Sequence, residues 1–165
     1  MIHILRPLPT KFILSVATLG ALGRSRFMPG TLGSLAGIVW YTVGFWRVAF
    51  FPFVLGFCSS IVVGILFCGE AEYRLQEKDP SCVILDEFLA MPLCYWGIER
   101  FAAQVALWKI LLYGFLLFRF FDMVKPFGIR SLERIRGGTG IMIDDIAAAL
   151  ATWMVLHITV PIVFT

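Results

Sequence analysis

The chain reads as a series of apolar runs separated by short polar stretches. Five runs are candidates for membrane-embedded helices: Leu35 to Phe50, Phe51 to Cys68, Ile84 to Ile98, Ala102 to Phe121 and Ile143 to Phe164. A spanning helix needs roughly 20 residues, with a range of ~17–25, so the third run is marginal and a re-entrant segment is its alternative. Ahead of them, Phe12 to Leu22 is apolar but too short to span. Arg6 and Lys11 precede it and Arg24 and Arg26 follow it, with no small-residue cleavage site, so the pattern predicts an interfacial helix rather than a signal peptide. Phe27 to Ser34 (FMPGTLGS) predicts a Pro/Gly loop whose Thr31 and Ser34 suit the N-cap of the helix that follows. Further loops are predicted at 69–83 and 122–142. The fold class is therefore all-α: a polytopic membrane bundle of about 4–5 embedded helices, with an interfacial N-terminal segment over 1–34 and one embedded domain over 35–165.

Composition supports this reading. Hydrophobic residues make up 59% and charged residues 15%, against ~45–50% and ~25% in soluble domains, and the mean hydropathy is +0.87. A net charge of +3 without a basic run excludes a nucleic-acid partner. Basic residues are asymmetric. With five spans, Arg6, Lys11, Arg24, Arg26, Arg74, Lys78, Arg119, Lys125, Arg130, Arg134 and Arg136 share one side. Arg47 and Arg100 lie on the other and Lys109 is inside a span. The positive-inside rule puts the larger group in the cytoplasm and the C-terminus outside.

The acids follow the same division. Glu70 and Glu72 end the second span, Asp79 is in the next loop, and Asp86 and Glu87 begin the third span. Asp122 ends the fourth, Asp144 and Asp145 begin the fifth, and only Glu99 falls outside. Ionised carboxylates avoid low-dielectric surroundings unless a cation compensates them. Asp86, Glu87, Asp122, Asp144 and Asp145 are thus candidate ligands of a hard cation such as Mg²⁺, which takes oxygen donors. For Glu70, Glu72, Glu77 and Glu133 the simpler expectation is a solvated acid. Arg119, Asp122 and Lys125 share one helical face, so Arg119 or Lys125 could grip a phosphate beside an Asp122-bound metal. PGTLGS (29–34) and GGTG (137–140) are small-residue loops before helices, where Thr31, Ser34, Thr139 and the loop amides suit an anion.

Other chemistry fits poorly. The four cysteines Cys58, Cys68, Cys82 and Cys94 form no CxxC pair, which argues against a zinc site or a disulfide framework. Cys68 and Arg74 have the C-x5-R spacing of thiol phosphatases, but Glu70 and Glu72 would repel a phosphate in that loop. His3 is terminal, and His157 lies in an apolar run far from the acids.

FMPGTLGSLAG (27–37), KDPSCVILDEFLAM (78–91), FRFFDMVKPFGI (118–129) and GGTGIMIDD (137–145) resemble, in order and spacing, the motif series of the phosphatidylglycerophosphatase A family. The resemblance runs from about residue 27 to the end of the chain. It implies a helical, Mg²⁺-dependent lipid phosphatase of the bacterial inner membrane that converts phosphatidylglycerophosphate to phosphatidylglycerol. It places the family's acidic pairs on Asp86-Glu87 and Asp144-Asp145, its FDxxKP acid and base on Asp122 and Lys125, and the acid of its DP element on Asp79. Glu70 falls on a variable position. The metal would neutralise phosphoryl oxygens and activate water, while Lys125, Arg119, Thr31, Ser34 and Thr139 would contact the substrate phosphate. The competing reading is a cation-coupled transporter or channel-like subunit, whose acids would sit near mid-membrane rather than at helix ends.

Overall fold

The computed structural model describes residues 5–125, 135 and 137–163. Among them are six α-helices and no strand: α1 (Thr10–Ala17), α2 (Pro29–Gly44), α3 (Phe50–Leu75), α4 (Leu85–Tyr95), α5 (Leu107–Val124) and α6 (Gly138–Val163). A short 3₁₀ turn, Ile98–Arg100, joins α4 to α5. The all-α class holds. His3, Arg130, Glu133, Arg134 and Arg136 lie outside the described residues.

Helix boundaries differ from the hydropathy pattern in instructive ways. Pro29 is the first residue of α2, where a missing N–H costs nothing and the fixed φ suits a helix. Thr31 and Ser34 are therefore inside the helix, not at its N-cap, and the expected FMPGTLGS loop is half helix. α3 runs on to Leu75, so Glu70 and Glu72 belong to its last turns rather than to a loop. Gly137 has φ +83° and the next residue opens α6, so most of GGTG is the first helical turn. Asp144 and Asp145 consequently sit two turns into that helix instead of opening it. The N-terminal helix is shorter than expected, and its Ile13 and Ala17 are fully buried.

Among the described residues two helices, Phe50–Leu75 and Gly138–Val163, are long and apolar enough to cross a membrane. At 1.5 Å per residue α2 extends ~24 Å, α5 ~27 Å and α4 only ~16 Å, so a bundle of 4–5 full spans is not what the lengths give. The exterior is apolar all the same. Val43 is 81% exposed, Phe51 82%, Leu55 72% and Ile162 75%. A surface of this kind is foreign to water-facing monomers, and with the two long helices it indicates membrane association.

α4 is the hub, packed chiefly on α2 and α6, while α6 also meets α5 and α3, and α1 rests on α3. Tyr41 Oη of α2 donates to the carbonyl of Tyr95 at 3.0 Å, and Tyr95 Oη donates to the carbonyl of Leu111 at 2.8 Å. These two bonds string α2, α4 and α5 together inside a core of Met91, Cys94, Ile110, Phe118 and Leu156. Where α6 crosses α3, Gly138 lies against the backbone of Ile65 so closely that no Cβ could fit. α4 stops level with the middle of α6, where Trp153 Nε1 donates to the carbonyl of Trp96 at 2.9 Å. The connector then continues to Phe101, whose ring meets His157. α5 sets out from that far end, with Tyr113 Oη accepting from Thr159 Oγ1, and returns to the end where α4 began.

Candidate active site

The return of α5 brings four helix ends to one place. A cavity of about 390 Å³ is lined by Asp79, Asp86, Glu87, Arg119, Asp122, Lys125, Asp144 and Asp145, with Met28, Pro29, Gly30 and Met123 around its rim. Asp86 and Glu87 come from the first turn of α4, Arg119 and Asp122 from the last turns of α5, and Asp144 and Asp145 from α6. Asp86, Asp144 and Asp145 are buried, at 4–6% exposure.

Two cations interleave with these acids. Arg119 NH1 donates to Glu87 Oε1 at 3.0 Å and to Asp122 Oδ2 at 2.8 Å, bridging α4 and α5. Lys125 Nζ donates to Asp144 Oδ2 at 2.5 Å, tying the end of α5 to α6. Ser34 Oγ of α2 lies 3.0 Å from both Glu87 Oε2 and the carbonyl of Gly30. Concentrating the buried carboxylates Asp86, Asp144 and Asp145 in one dry place carries an electrostatic penalty that a bound cation would offset.

Partnering is uneven. Asp86 Oδ1, Asp144 Oδ1 and Asp145 Oδ2 are buried oxygens with no hydrogen-bond partner, and the buried Nε of Arg119 also lacks one. Buried polar atoms are rarely left so. Among the described residues no three acid, thiol or imidazole side chains close on one point as a ready-made metal cage. Mg²⁺ does not require one, since it keeps several waters and uses one or two carboxylates plus substrate phosphate. The orphaned oxygens fit such a donor set.

The family model of phosphatidylglycerophosphatase A matches residues 15–160, a stretch containing every acid of the cavity. The chain belongs to the phosphatidylglycerophosphatase A family. It is 36% identical over 139 residues to the phosphatidylglycerophosphatase A of Escherichia coli strain K12, covering 82% of this chain and 76% of that one. It is 32% identical over 123 residues to the protein of that name in Haemophilus influenzae, over 74% and 72% of the two chains. A Bacteroides thetaiotaomicron protein provisionally named a phosphatidylinositol-3-phosphatase is 33% identical over 141 residues, covering 82% and 86%. No solved structure matches the chain. Membership of the phosphatidylglycerophosphatase A family makes the chain an enzyme, a phosphatase.

Of the residues singled out in the sequence, the cavity gathers Asp79, Asp86, Glu87, Arg119, Asp122, Lys125, Asp144 and Asp145. It does not gather the hydroxyls. Thr31 Oγ1 is buried without a partner, Ser34 points at Glu87, and Thr139 is exposed on the first turn of α6. Glu70 is not solvated as expected: it is buried and holds Arg74 Nε at 2.8 Å. Arg74 also donates to the carbonyls of Leu5, Arg6 and Leu8, so it anchors the N-terminal segment and leaves no phosphate loop around the fully buried Cys68. A smaller cavity of about 210 Å³ adjoins through Asp79 and Asp144, with Glu72 and Lys78 in its wall. The part of these two side chains was not legible beforehand, because an acid in a helical last turn and a loop lysine look alike wherever they occur.

Proposed function

We propose that the chain is a Mg²⁺-dependent lipid phosphatase. On this reading it hydrolyses phosphatidylglycerophosphate to phosphatidylglycerol and phosphate at the cytoplasmic face of a bacterial inner membrane, as a multi-pass protein. The observation that carries it is one cavity in which six carboxylates meet Arg119 and Lys125 at one end of an apolar bundle. The names of the relatives from Escherichia coli and Haemophilus influenzae support the substrate. The basic asymmetry supports the orientation.

Asp86, Asp144 and Asp145, with their unpartnered oxygens, would hold the cation, and Asp122 lines the same wall. When bound, Mg²⁺ supplies charge neutralisation at the phosphoryl oxygens and activation of a water. The chain's own groups supply the rest. Arg119 and Lys125 are already fixed by their acids, so they meet the phosphomonoester dianion without first being ordered. They also steady the charge that spreads over the equatorial oxygens as the water oxygen bonds to phosphorus and the phosphorus–oxygen bond to the glycerol breaks. A cavity carboxylate accepts the water proton, and the departing glycerol oxygen takes up one.

The transport reading asks for acids along a path through the membrane. Among the described residues only Glu99 lies away from the cavity end. The Bacteroides thetaiotaomicron relative raises a phosphoinositide monoester as a rival substrate. Phosphate release by purified protein in mixed micelles separates these readings. Phosphatidylglycerophosphate is expected to be hydrolysed fastest, phosphatidylinositol 3-phosphate and soluble glycerol phosphate more slowly. EDTA should abolish turnover and added Mg²⁺ restore it. Turnover untouched by EDTA, or fastest on the phosphoinositide, would overturn the proposal.

A further inference from the structure

Glu87 has both its oxygens engaged, unlike Asp86, Asp144 and Asp145. Oε1 accepts from Arg119 at 3.0 Å and Oε2 lies 3.0 Å from the Ser34 hydroxyl. The first turn of α2 is shaped around this carboxylate. A Cβ on Gly30 would collide with Oε1, and one on Gly33 would lie 3.1 Å from Oε2. The sequence PGTLGS looks like a phosphate loop, yet the anion it encloses is the protein's own. Asp86, Asp144 and Asp145, by contrast, each keep a buried oxygen without a partner.

We propose that the PGTLGS turn is a seat for Glu87, and that seated Glu87 is a positioning residue that aims Arg119 at the substrate phosphate rather than a metal ligand. The inference rests on the metal-phosphatase reading above. Arg119 carries a long, rotamer-rich side chain whose freedom must be removed before it can bind an anion well. Clamping NH1 between Glu87 and Asp122 removes it, and leaves Nε buried in the cavity region with no partner of its own. Ser34, buried on α2, completes the clamp from behind.

The test compares Glu87→Gln, Ser34→Ala and Arg119→Lys with Asp145→Asn in purified full-length protein. Mn²⁺ alone, followed by its electron paramagnetic resonance signal, reports metal affinity, and micellar kinetics report KM and kcat. Asp145→Asn should lose Mn²⁺ affinity by about tenfold or more. Glu87→Gln, Ser34→Ala and Arg119→Lys should hold it within about threefold while KM rises, about tenfold for Glu87→Gln and less for Ser34→Ala. Ser34→Ala removes a single hydroxyl, so it reads the seat even if Glu87→Gln folds poorly. Glu87→Gln weakening Mn²⁺ binding as much as Asp145→Asn, or leaving KM unmoved, overturns the seat. A wild-type protein that binds no Mn²⁺ overturns the metal reading instead, and the KM comparison still judges whether Glu87 positions Arg119.

Discussion

Lys125 ends α5 with φ +47° and ψ 56°, a left-handed conformation that a non-glycine residue adopts at a penalty of roughly 1–2 kcal/mol. Strain of this kind persists where the surroundings over-determine it, and here the ion pair with Asp144 does so. The placement suits a phosphate ligand, since the ammonium lies on the cavity wall between two acidic helix ends. Lys125→Ala is expected to lower kcat/KM at saturating Mg²⁺ by about tenfold or more, or ~1.4 kcal/mol. Lys125→Gly should lose as much activity yet be no less stable than the alanine variant, because glycine relieves the left-handed strain. Steady-state kinetics and thermal unfolding in detergent check both. If Lys125→Ala leaves kcat and KM within about twofold, the lysine only anchors to lipid headgroups.

At the scale of elements, the site depends on how closely α2 approaches α4, because α2 carries the Ser34 and Gly30 that face Glu87. Gly37 sets that distance: a Cβ there would lie 2.6 Å from Met91 Cγ and 2.8 Å from the Phe88 carbonyl. Gly37→Leu should therefore force the helices apart and lower stability by about 1–3 kcal/mol. Activity should fall with it, measured as a lower unfolding temperature and slower phosphate release. Gly44→Ala on the same helix should be harmless, since its Cβ would meet nothing nearer than 3.5 Å. The sequence announced the helices and the gathering of their acids, since apolar runs bounded by carboxylates report burial directly. It concealed where the helices begin. Pro29, Gly138 and Gly140 read as loop by propensity, yet tertiary packing of Gly138 on α3 and of Gly33 on Ile84 makes them helix. For the same reason Thr31 and Ser34 looked like donors to a substrate, when one is enclosed and the other serves Glu87. Long-range pairings such as Ser34 with Glu87, or Arg74 with the carbonyls of Leu5 and Leu8, leave no local signature.

For the whole molecule, the decisive question is how many times the chain crosses and which end faces the cytoplasm. α4 is too short to span, which by itself would reverse everything that follows it. The connector corrects this. After Tyr95 the chain continues past Trp96 and Trp153 to Phe101 and His157, and α5 begins on the side of Thr159. α4 and its connector together run along α6 from the cavity end to the far end, so on the proposed multi-pass reading α5 and α6 keep the directions that five spans would give them. The cavity end then carries Arg74, Lys78, Arg119 and Lys125, while Arg47 and Arg100 sit at the turns of the opposite end. With basic residues retained in the cytoplasm, the exposed Glu77, just beyond the end of α3, should face inward. Glu77→Cys in protein with Cys58, Cys68, Cys82 and Cys94 replaced is expected to resist an impermeant maleimide in intact cells and to react after permeabilisation. A cysteine in place of the exposed Gln104, in the connector before α5, should show the opposite pattern. Labelling of both positions from outside would mean that α4 and its connector turn back, and would place the acid cavity on the periplasmic face.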